Sequence, residues 1–521
     1  MALETIDIWV AAAYAVFIFI LAQWVSREKE GDNKDTSDYF LAGRSLPWWA
    51  IGSSLIAANI SAEQIIGMSG SAYVMGLAIA SYEWMSAITL ILVGKYFLPI
   101  FLKHKIYTMP QYLEQRYDSR VRMIMAIFWL GVYVLVNLTS ILWLGALAIN
   151  SITGIDINIA LIALGVFTGA YSLYGGLKAV AFTDIIQVVL LVAGGLMIAY
   201  IALDQISGGG GVVAGFTMLL DQVPEKFDMI LSKDNPSYMS LPGISVLLGG
   251  MWVMNLSYWG FNQYIIQRAL AAKNIREAQK GIVFAAFLKL LMPVLVVLPG
   301  IAAVVLMPQL SAPDQAYPET MKLLPAGIKG VVFAALIAAI VSSLASMTNS
   351  IATIFTMDLF VHISKKDHNQ KQLVTIGRSV SLAALVLAMV VAKPLLGGFD
   401  QAFQYIQEFT GFFTPGIVVI FLLGMFWGKT TATAALLAAL GSAILSLSFK
   451  LWWPELPFMD RVGLVFILCV GIAVIISLVR PATLSASAVD IAEVDFSTSS
   501  GFNLAAVAIS LVLAGFYIAW W

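Results

Sequence analysis

Apolar segments of about 20 residues, the length at which a helix crosses a bilayer, recur along the whole chain. Hydrophobic residues make up 60% of the 521-residue sequence and charged residues 11%, whereas ordinary soluble domains carry about 25% charged residues. The composition therefore excludes a soluble globular protein and predicts an all-α integral membrane protein. Fourteen spans are predicted, at about 6–25, 46–76, 78–102, 123–150, 156–174, 180–204, 241–268, 277–307, 326–361, 373–394, 399–427, 430–452, 460–479 and 501–521.

The distribution of basic residues orients these spans. Placing the N-terminus outside gives inside loops at 26–45, 103–122, 175–179, 268–280, 362–378, 428–429 and 480–500. These loops hold 20 of the 29 Lys and Arg residues, against seven in the outside loops and their edges. Basic residues concentrate on the cytoplasmic side of membrane proteins, so both termini are predicted outside. The acidic Glu4 and Asp7 precede the first span, which predicts an uncleaved helix, because signal peptides begin with a basic region.

Two predicted spans are interrupted by polar residues. Span 46–76 contains amides, a carboxylate and a serine at 57–64, and span 241–268 contains two Asn, a Gln and aromatics at 254–264. Polar groups at this depth need partners in the protein or a water-filled cavity. Helix–helix contacts are one explanation, and a pair of broken helices lining a midplane ligand site is the other.

The two interruptions occupy matching places in successive groups of five spans, which predicts a 5+5 inverted-repeat core. The predicted organisation is an extra helix and loop, a first repeat, an outside connector, a second repeat and three C-terminal helices, at 1–45, 46–205, 206–240, 241–427 and 428–521.

Several polar residues fall at membrane depth and are candidates for binding a ligand. They are Gln64, Glu83, Ser86, Asn255, Lys289 and Gln407. Carboxylate and amide oxygens accept hydrogen bonds while amide and ammonium nitrogens donate them, and a neutral ligand rich in hydroxyls needs both. Alternatively, Glu83 and Lys289 pair only to stabilise the helix bundle.

A cation site is predicted where adjacent serines face the first interrupted span. Ser342 and Ser343 lie in a helix of small residues, and the interruption frees the carbonyls of Ala57 and Ile60. Hydroxyl and carbonyl oxygens together would suit an alkali cation, although serines in such helices also serve as packing contacts.

Large side chains bracket the candidate ligand site. Met68, Tyr82 and Phe403 would close it from outside, and Tyr258 would stack on a sugar ring from inside.

Other classes of function find no support in the residues. The three histidines lie in charged connectors without metal-ligand spacing, and no phosphate-binding loop or hydrolase nucleophile motif is present. The single cysteine, Cys469, lies in an apolar segment and is interpreted as a core residue. With a net charge of −1, the sequence predicts neither an enzyme nor a nucleic-acid-binding protein.

Two long motifs resemble signatures of the sodium/solute symporter family. The first runs through Asp38-Tyr39-Phe40-Leu41-Ala42-Gly43-Arg44, Trp48-Trp49 and the stretch from Ser54 to Ser61, and the second is Tyr174-Gly175-Gly176-Leu177 with Thr183-Asp184-Ile185-Ile186-Gln187. The resemblance covers nearly the whole chain and is nearest to the bacterial sodium/galactose (glucose) branch of the family.

The resemblance implies roles for individual residues. Sugar binding falls to the six polar residues above, with Asn59 nearby. Tyr258 becomes an inner gate supported by Asn137, and the outer gate comprises Met68, Tyr82 and Phe403. Sodium is bound by the carbonyls of Ala57, Ile60 and Ala339 and the hydroxyls of Ser342 and Ser343, with Asp184 on the release path. Ser257 departs from close relatives, which have a tyrosine there.

The predicted function is sodium-coupled uptake of a hexose, galactose or glucose, across a bacterial inner membrane by alternating access. Sodium, the sugar and the lipid bilayer are the predicted partners, and the sequence leaves the oligomeric state open. A symporter of the same fold carrying an inositol, proline or sialic acid is the nearest alternative. A membrane sensor or a channel is a more remote one.

Overall fold

The computed structural model describes residues 3–25, 36–364, 368–398, 402–480 and 491–521. Within these ranges the protein is all α-helical and forms no strand, apart from one isolated bridge between Leu46 and Ala272. The helices of the N-terminal half are α1 (Thr5–Val25), α2 (Thr36–Leu41), α3 (Trp48–Asn59), α4 (Met68–Met75), α5 (Ser81–Leu92), α6 (Leu98–Lys103), α7 (Met109–Arg116), α8 (Ser119–Val132), α9 (Thr139–Thr153), α10 (Ile157–Ile206) and α11 (Val212–Gln222).

The C-terminal half is also entirely helical where it is described. Its helices are α12 (Ser245–Leu248), α13 (Gly250–Leu256), α14 (Gln263–Leu270), α15 (Ile275–Leu306), α16 (Ala316–Met321), α17 (Ile328–Ile354), α18 (Val361–Ser364), α19 (Gln370–Leu396), α20 (Ala402–Thr410), α21 (Thr414–Phe426), α22 (Ala432–Trp452), α23 (Phe458–Val479) and α24 (Ser500–Ala519). Among the described residues, five π-helical turns link consecutive helices, at Glu63–Gly67, Val93–Phe97, Tyr133–Leu138, Ser257–Phe261 and Phe355–Phe360.

Ten helical segments of the described chain are long and apolar enough to cross a membrane, or eleven if α20 and α21, bent by 46° at their junction, form one span. The predicted span 399–427 contains that bend. The predicted spans 46–76, 156–174 and 241–268 do not pass this length test, because each is broken or short. The multi-pass architecture is therefore observed, and the number fourteen remains a prediction.

The first predicted break lies at the end of α3. The amide of Ile60 still bonds to Ile56, but Ile60 has ψ 67°, and the Ser61 amide turns back to the carbonyl of Asn59. Helical structure resumes as a π turn at Glu63–Gly67. The chain thus leaves regular α-helical hydrogen bonding at the polar stretch, as predicted.

Both halves of this broken span pack alongside α15. Gly52 of α3 packs against Phe284 near the start of α15, and Ser69 of α4 packs against Gly300 near its end. The broken segment therefore runs parallel to α15 along its full length.

The chain then reverses at Gly76, which has φ +70° and ψ −148°. On the return path, Trp84 of α5 donates to the carbonyl of Leu290 at 3.2 Å, and Gly94 packs against Ile282. The sequence places its boundary between two spans at this reversal.

The spans predicted at 156–174 and 180–204 fall in one stretch of helical backbone, Ile157–Ile206. The loop predicted at 175–179 is therefore not seen as an interruption of the helix, although the side chains of 171–176, 178 and 179 are outside the described residues.

The two ends of this stretch nevertheless run in opposite directions. Gly165 packs against Met389 of α19, and Gly169 packs against Leu385. The first part of the stretch therefore runs antiparallel to α19. Helix α19 is antiparallel to α17, since Ser381 bonds to Thr348 and Gly377 packs beside Thr356.

The later part of the stretch runs back along α17. Asp184 bonds to Ser342, and Gly194 packs against Val332, ten residues nearer the start of α17. The chain therefore reverses between its two ends, as two separate spans require.

The second predicted break lies between the π turn Ser257–Phe261 and α14. Asn262 has an extended backbone, with φ −80° and ψ 116°, and its side-chain oxygen accepts from the Tyr264 amide at 3.2 Å and from the Tyr133 hydroxyl at 2.5 Å. The polar side chain therefore caps the helix that follows it, because the first amides of a helix lack backbone partners.

The connector at 205–240 contains α11 and packs on helix ends. Met229 donates to the carbonyl of Trp520 at 2.9 Å, Phe458 donates to Met239 at 3.0 Å, and Lys226 donates to the carbonyls of Tyr73 and Val74. Cys469 lies in a small apolar cluster between α22 and α23, with its Sγ 3.4 Å from the carbonyl oxygen of Ala438.

Candidate functional site

A buried ion pair lies at the centre of the bundle. The Lys289 ammonium on α15 is 2.5 Å from the Glu83 carboxylate on α5, and their side chains are 0% and 2% exposed. The same ammonium donates to the side-chain oxygen of Asn59 at the end of α3, and it lies 4.9 Å from the centre of the Trp259 ring. A buried pair needs such additional hydrogen bonds, because removing two charges from water is costly.

A second polar group adjoins this pair. The Ser86 hydroxyl, one helical turn after Glu83, is 2.6 Å from the side-chain oxygen of Asn255 and accepts from the Trp259 indole at 2.7 Å. The Asn255 amide donates to the carbonyl of Met251 at 3.1 Å. Residues from α5 and from the second broken segment therefore form one connected network.

A cavity opens beside these two groups. Nine residues predicted from the sequence as binding or gate residues line it: Asn59, Gln64, Tyr82, Glu83, Ser86, Asn137, Asn255, Tyr258 and Gln407. Lys289 is hydrogen-bonded to Glu83 and Asn59, which line the cavity. The structure therefore brings the predicted sugar-binding residues of five separate segments to one place.

Two polar atoms at this cavity have no hydrogen-bond partner among the described residues. They are the side-chain oxygen of Gln64 and the hydroxyl of Tyr82, and both are buried. Buried polar groups are nearly always hydrogen-bonded, so unpaired ones beside a cavity indicate a place for ligand hydroxyls.

The predicted inner-gate residue Tyr258 lies in the π turn of the second broken segment. Its hydroxyl accepts from the Asn59 amide at 3.0 Å, and its ring contacts Trp259 edge to face, with centroids 5.2 Å apart. Asn137, the predicted support, lines the same cavity from the π turn between α8 and α9.

The predicted outer-gate residues also lie together. The rings of Tyr82 and Phe403 meet edge to face, with centroids 5.4 Å apart. Met68 is fully buried, and Gly67 before it packs against Phe403. Tyr82 lines the cavity and meets Phe403, and Met68 is adjacent in the chain to Gly67, which contacts Phe403.

The predicted cation site lies where α17 crosses the end of α3. The Ser343 hydroxyl is 3.3 Å from the carbonyl oxygen of Ala57 and 3.2 Å from that of Ala58, which also accepts from the Tyr264 hydroxyl. Ile60 ends α3, and Ala339 lies one turn before Ser343 on α17.

The neighbouring Ser342 leads to a buried carboxylate. Its hydroxyl donates to Asp184, whose other oxygen accepts from Ser54 at 2.5 Å. Asp184 is completely buried, and the hydrogen bonds therefore connect the predicted release-path residue to the predicted cation site.

The arginine next to this carboxylate was misplaced by the sequence. The sequence predicts Arg268 at the boundary of span 241–268 and the inside loop 268–280, but it lies in α14 and is fully buried. Its guanidinium donates to Ser54 at 2.9 Å and to Ser346 and the carbonyl of Tyr264. A basic residue near the end of a predicted span is expected to be solvated. Arg268 is buried instead, because α14 packs within the helix bundle.

Other cavity residues were not singled out by the sequence. Glu63 is bonded to Ser140, and Trp259, Tyr133 and Asn262 line the cavity. A signal existed for Glu63 and Asn262, which lie in the polar stretches of the first and second broken spans. The aromatic residues resemble the many others of the chain, so their position depends on tertiary packing.

The comparisons with known proteins agree on one family. A family model described as the sodium:solute symporter family matches residues 39–441. A sodium/glucose cotransporter of Vibrio parahaemolyticus is 52% identical over 100% of this chain and 99% of its own length. A mouse sodium/myo-inositol cotransporter 2 is 32% identical over 83% of this chain and 68% of its own length.

Solved structures support the fold. A Na+-coupled sialic acid symporter in a substrate-bound outward-open state superposes with a TM-score of 0.81, at 23% identity over 92% of this chain and 100% of that one. The nucleobase-cation symporter Mhp1 in a closed conformation gives a TM-score of 0.55 at 14% identity, over 87% of this chain and 98% of that one.

Proposed function

The chain belongs to the sodium:solute symporter family, and we propose that the solute it carries is a hexose, galactose or glucose. As a member of that family it is a multi-pass membrane transporter rather than an enzyme, and sodium is its coupling ion. The 52% identity to a sodium/glucose cotransporter over the full length supports a sugar as the solute.

The observation that carries the proposal is the pair of unsatisfied oxygens, on Gln64 and Tyr82, beside the neutralised Glu83–Lys289 pair. A sugar hydroxyl both donates and accepts, so one ring can bond to an amide oxygen, a phenol and a carboxylate together. In this role the sugar is bound by the seven predicted residues: Asn59, Gln64, Glu83, Ser86, Asn255, Lys289 and Gln407.

Sodium would bind at the end of α3, where the helix break frees backbone oxygens. Carbonyls of Ala57, Ile60 and Ala339 with the hydroxyls of Ser342 and Ser343 would form its shell, and Asp184 would receive the ion on release. Hydroxyl and carbonyl oxygens are uncharged ligands, which suits a monovalent cation that has to leave again.

Transport would proceed by alternating access within a 5+5 core. Sodium binding would stabilise the outward-open state, and the sugar would then draw Met68, Tyr82 and Phe403 together. Release would follow movement of Tyr258, supported by Asn137. The full architecture would comprise fourteen helices with both termini outside a bacterial inner membrane, divided into the five segments set out from the sequence.

Counterflow tests the choice of solute. Proteoliposomes loaded with unlabelled galactose, glucose, myo-inositol, proline or sialic acid should take up labelled galactose rapidly only with the two hexoses inside. Equal counterflow with myo-inositol would favour the inositol carriers among the relatives, and failure of both hexoses would overturn the proposal. Galactose flux that ignores the sodium gradient would indicate a channel.

Gln64→Ala tests the observation directly. Removing the amide deletes a ligand of the sugar while leaving the helix intact, and we expect the galactose KM to rise about fivefold, since one hydrogen bond is worth about 1 kcal/mol. Initial uptake rates at saturating sodium measure this change. Gln205→Ala, at an exposed glutamine, is the matched control, and an unchanged KM in Gln64→Ala would remove Gln64 from the site.

A further inference from the structure

A groove separate from the transport cavity lies where the start of α3, the first turns of α15 and the N-terminus of α24 meet. Ten residues line it: Trp48, Arg276, Gln279, Lys280, Val283, Phe284, Phe287, Ser499, Gly501 and Phe502. Trp48 is 38% exposed and Phe287 is 45% exposed. Exposed aromatic side chains at the ends of membrane helices are typical of the membrane–water interface.

One end of the groove is positively charged. Arg276 and Lys280 lie four residues apart and therefore on one face of α15, and they are the only charged residues in its lining. Arg276 forms no ion pair with any carboxylate of the described chain, and Lys280 has only Glu277, at 3.9 Å. The Glu277 carboxylate is itself engaged by the amide of Trp48 at 2.8 Å.

A helix N-terminus adds to this charge. Ser499 and Gly501 border the groove at the start of α24, and the Ser499 hydroxyl caps the amide of Phe502 at 3.2 Å. The aligned peptide dipoles of the 20-residue helix place partial positive charge here. The charges of Arg276 and Lys280 and the partial charge at the start of α24 therefore add together at one end of the groove.

The other end of the groove is apolar. Val283 and Phe287 continue the Arg276–Lys280 face of α15 by further turns, and Phe284 meets Trp48 edge to face, with centroids 5.7 Å apart. Charge and apolar surface therefore follow one another along the helix axis, in the order in which a phospholipid presents its phosphate and its acyl chain.

We propose that this groove binds an anionic phospholipid, with its phosphate between Arg276 and Lys280 and one acyl chain along Val283, Phe284 and Phe287. Basic pockets between membrane helices bind anionic headgroups in this way. A free phosphate ion would leave the apolar half of the groove unfilled, and a zwitterionic lipid would gain less from Arg276, which has no ion pair in the described chain, and Lys280, which has only the longer contact to Glu277.

Native mass spectrometry of the intact protein tests the site. Phosphatidylglycerol and phosphatidylcholine of equal chain length are titrated separately into the purified protein in detergent. We expect phosphatidylglycerol to bind at least tenfold more tightly. In Arg276→Gln/Lys280→Gln its affinity should fall about 30-fold, since each cation near a membrane surface contributes about 1 kcal/mol.

Lys371→Gln/Lys429→Gln removes two exposed cations elsewhere and is the matched control, expected to bind as the wild type does. Sodium-driven galactose uptake by both double variants reports that they are folded, and if the groove variant does not fold, Arg276→Gln alone, with an expected fivefold loss, replaces it. Equal binding of the two lipids, wild-type affinity in the groove variant, an equal loss in the control variant, or displacement by 10 mM inorganic phosphate would each overturn the proposal.

Discussion

Lys289 and Glu83 show how single side chains constrain this protein. Both are buried at membrane depth, where each alone would be an uncompensated charge. Their pairing explains why they are tolerated, and Glu83 lines the cavity in which we propose that the sugar binds. The two interpretations of the pair, structural and sugar-binding, are therefore compatible.

A double-mutant cycle separates these contributions. Lys289→Met or Glu83→Gln should each abolish galactose uptake, and Lys289→Met should also lower stability by about 3–5 kcal/mol, because it leaves a buried charge unpaired. The combined variant should recover most of the stability and none of the transport. Thermal unfolding in detergent and proteoliposome uptake measure the two effects.

Lys103→Met is the control for this cycle, since the Lys103–Glu493 pair is 37% and 75% exposed and should change stability by about 1 kcal/mol or less. A combined variant no more stable than Lys289→Met would contradict the coupling.

Ser343→Ala tests the cation site. Its hydroxyl reaches two carbonyls of α3, so its removal should raise the sodium concentration for half-maximal uptake about five- to tenfold, the effect of one lost ligand. The galactose KM at saturating sodium should change little. Ser448→Ala removes a hydroxyl that bonds only within its own helix, to Ile444, and should leave sodium activation unchanged; an unchanged value in Ser343→Ala would exclude Ser343.

At the residue scale the sequence predicts the polar members of the site because each interrupts an apolar span. It does not identify Trp259 or Tyr133, since their residue type is common throughout the chain and only packing brings them to the cavity. The sequence does not predict the burial of Arg268, because nothing local distinguishes a buried arginine at a helix end from a solvated one.

At the scale of elements, the π turns are the common feature of the site. The turns at Glu63–Gly67, Tyr133–Leu138 and Ser257–Phe261 all contribute residues to the cavity. A π turn disturbs the regular backbone hydrogen bonding of a helix, and such turns occur frequently at functional sites. The sequence predicts two of these irregularities from misplaced polar residues, whereas the turn at Tyr133–Leu138 lies in an apolar run that reads as an ordinary span.

Gly76→Ala tests the reversal between α4 and α5. Its backbone lies in a region that is essentially restricted to glycine, and an added Cβ would overlap the carbonyl oxygen of Lys226. We expect a loss of stability of about 2 kcal/mol or more, measured by thermal unfolding. Gly471→Ala, inside α23 with open space around the added carbon, should be neutral or slightly stabilising, and equal effects in both variants would contradict the role of Gly76.

At the scale of the whole molecule, the free energy released by the entering sodium ion limits how far galactose can be accumulated. One sodium crossing about 100 mV supplies about 2.3 kcal/mol, and a tenfold concentration gradient adds about 1.4 kcal/mol. For one sodium per sugar, proteoliposomes should accumulate galactose about 500-fold under both gradients and about tenfold when the potential is abolished. Steady-state ratios with and without an imposed potential measure this, and a much larger ratio would indicate more than one coupled ion.

The global architecture follows from the sequence only in part. Apolar runs predict a helical multi-pass protein, and that class is observed. The number fourteen stays a prediction, because α3, α14 and the first part of α10 are too short or too irregular to pass a length test for membrane spans. The inverted repeat depends on how the helices pack in three dimensions, which the weak similarity between the two halves does not reveal.

The burial of Cys469 has a practical consequence. It is the only cysteine in the chain, and its thiol is enclosed between α22 and α23. Spin labels that react with thiols should therefore attach only to cysteines introduced at chosen exposed sites, without any replacement of the native residue. Distances between pairs of such labels could then be followed in lipid vesicles as sodium and sugar are added, on a protein that is otherwise unaltered.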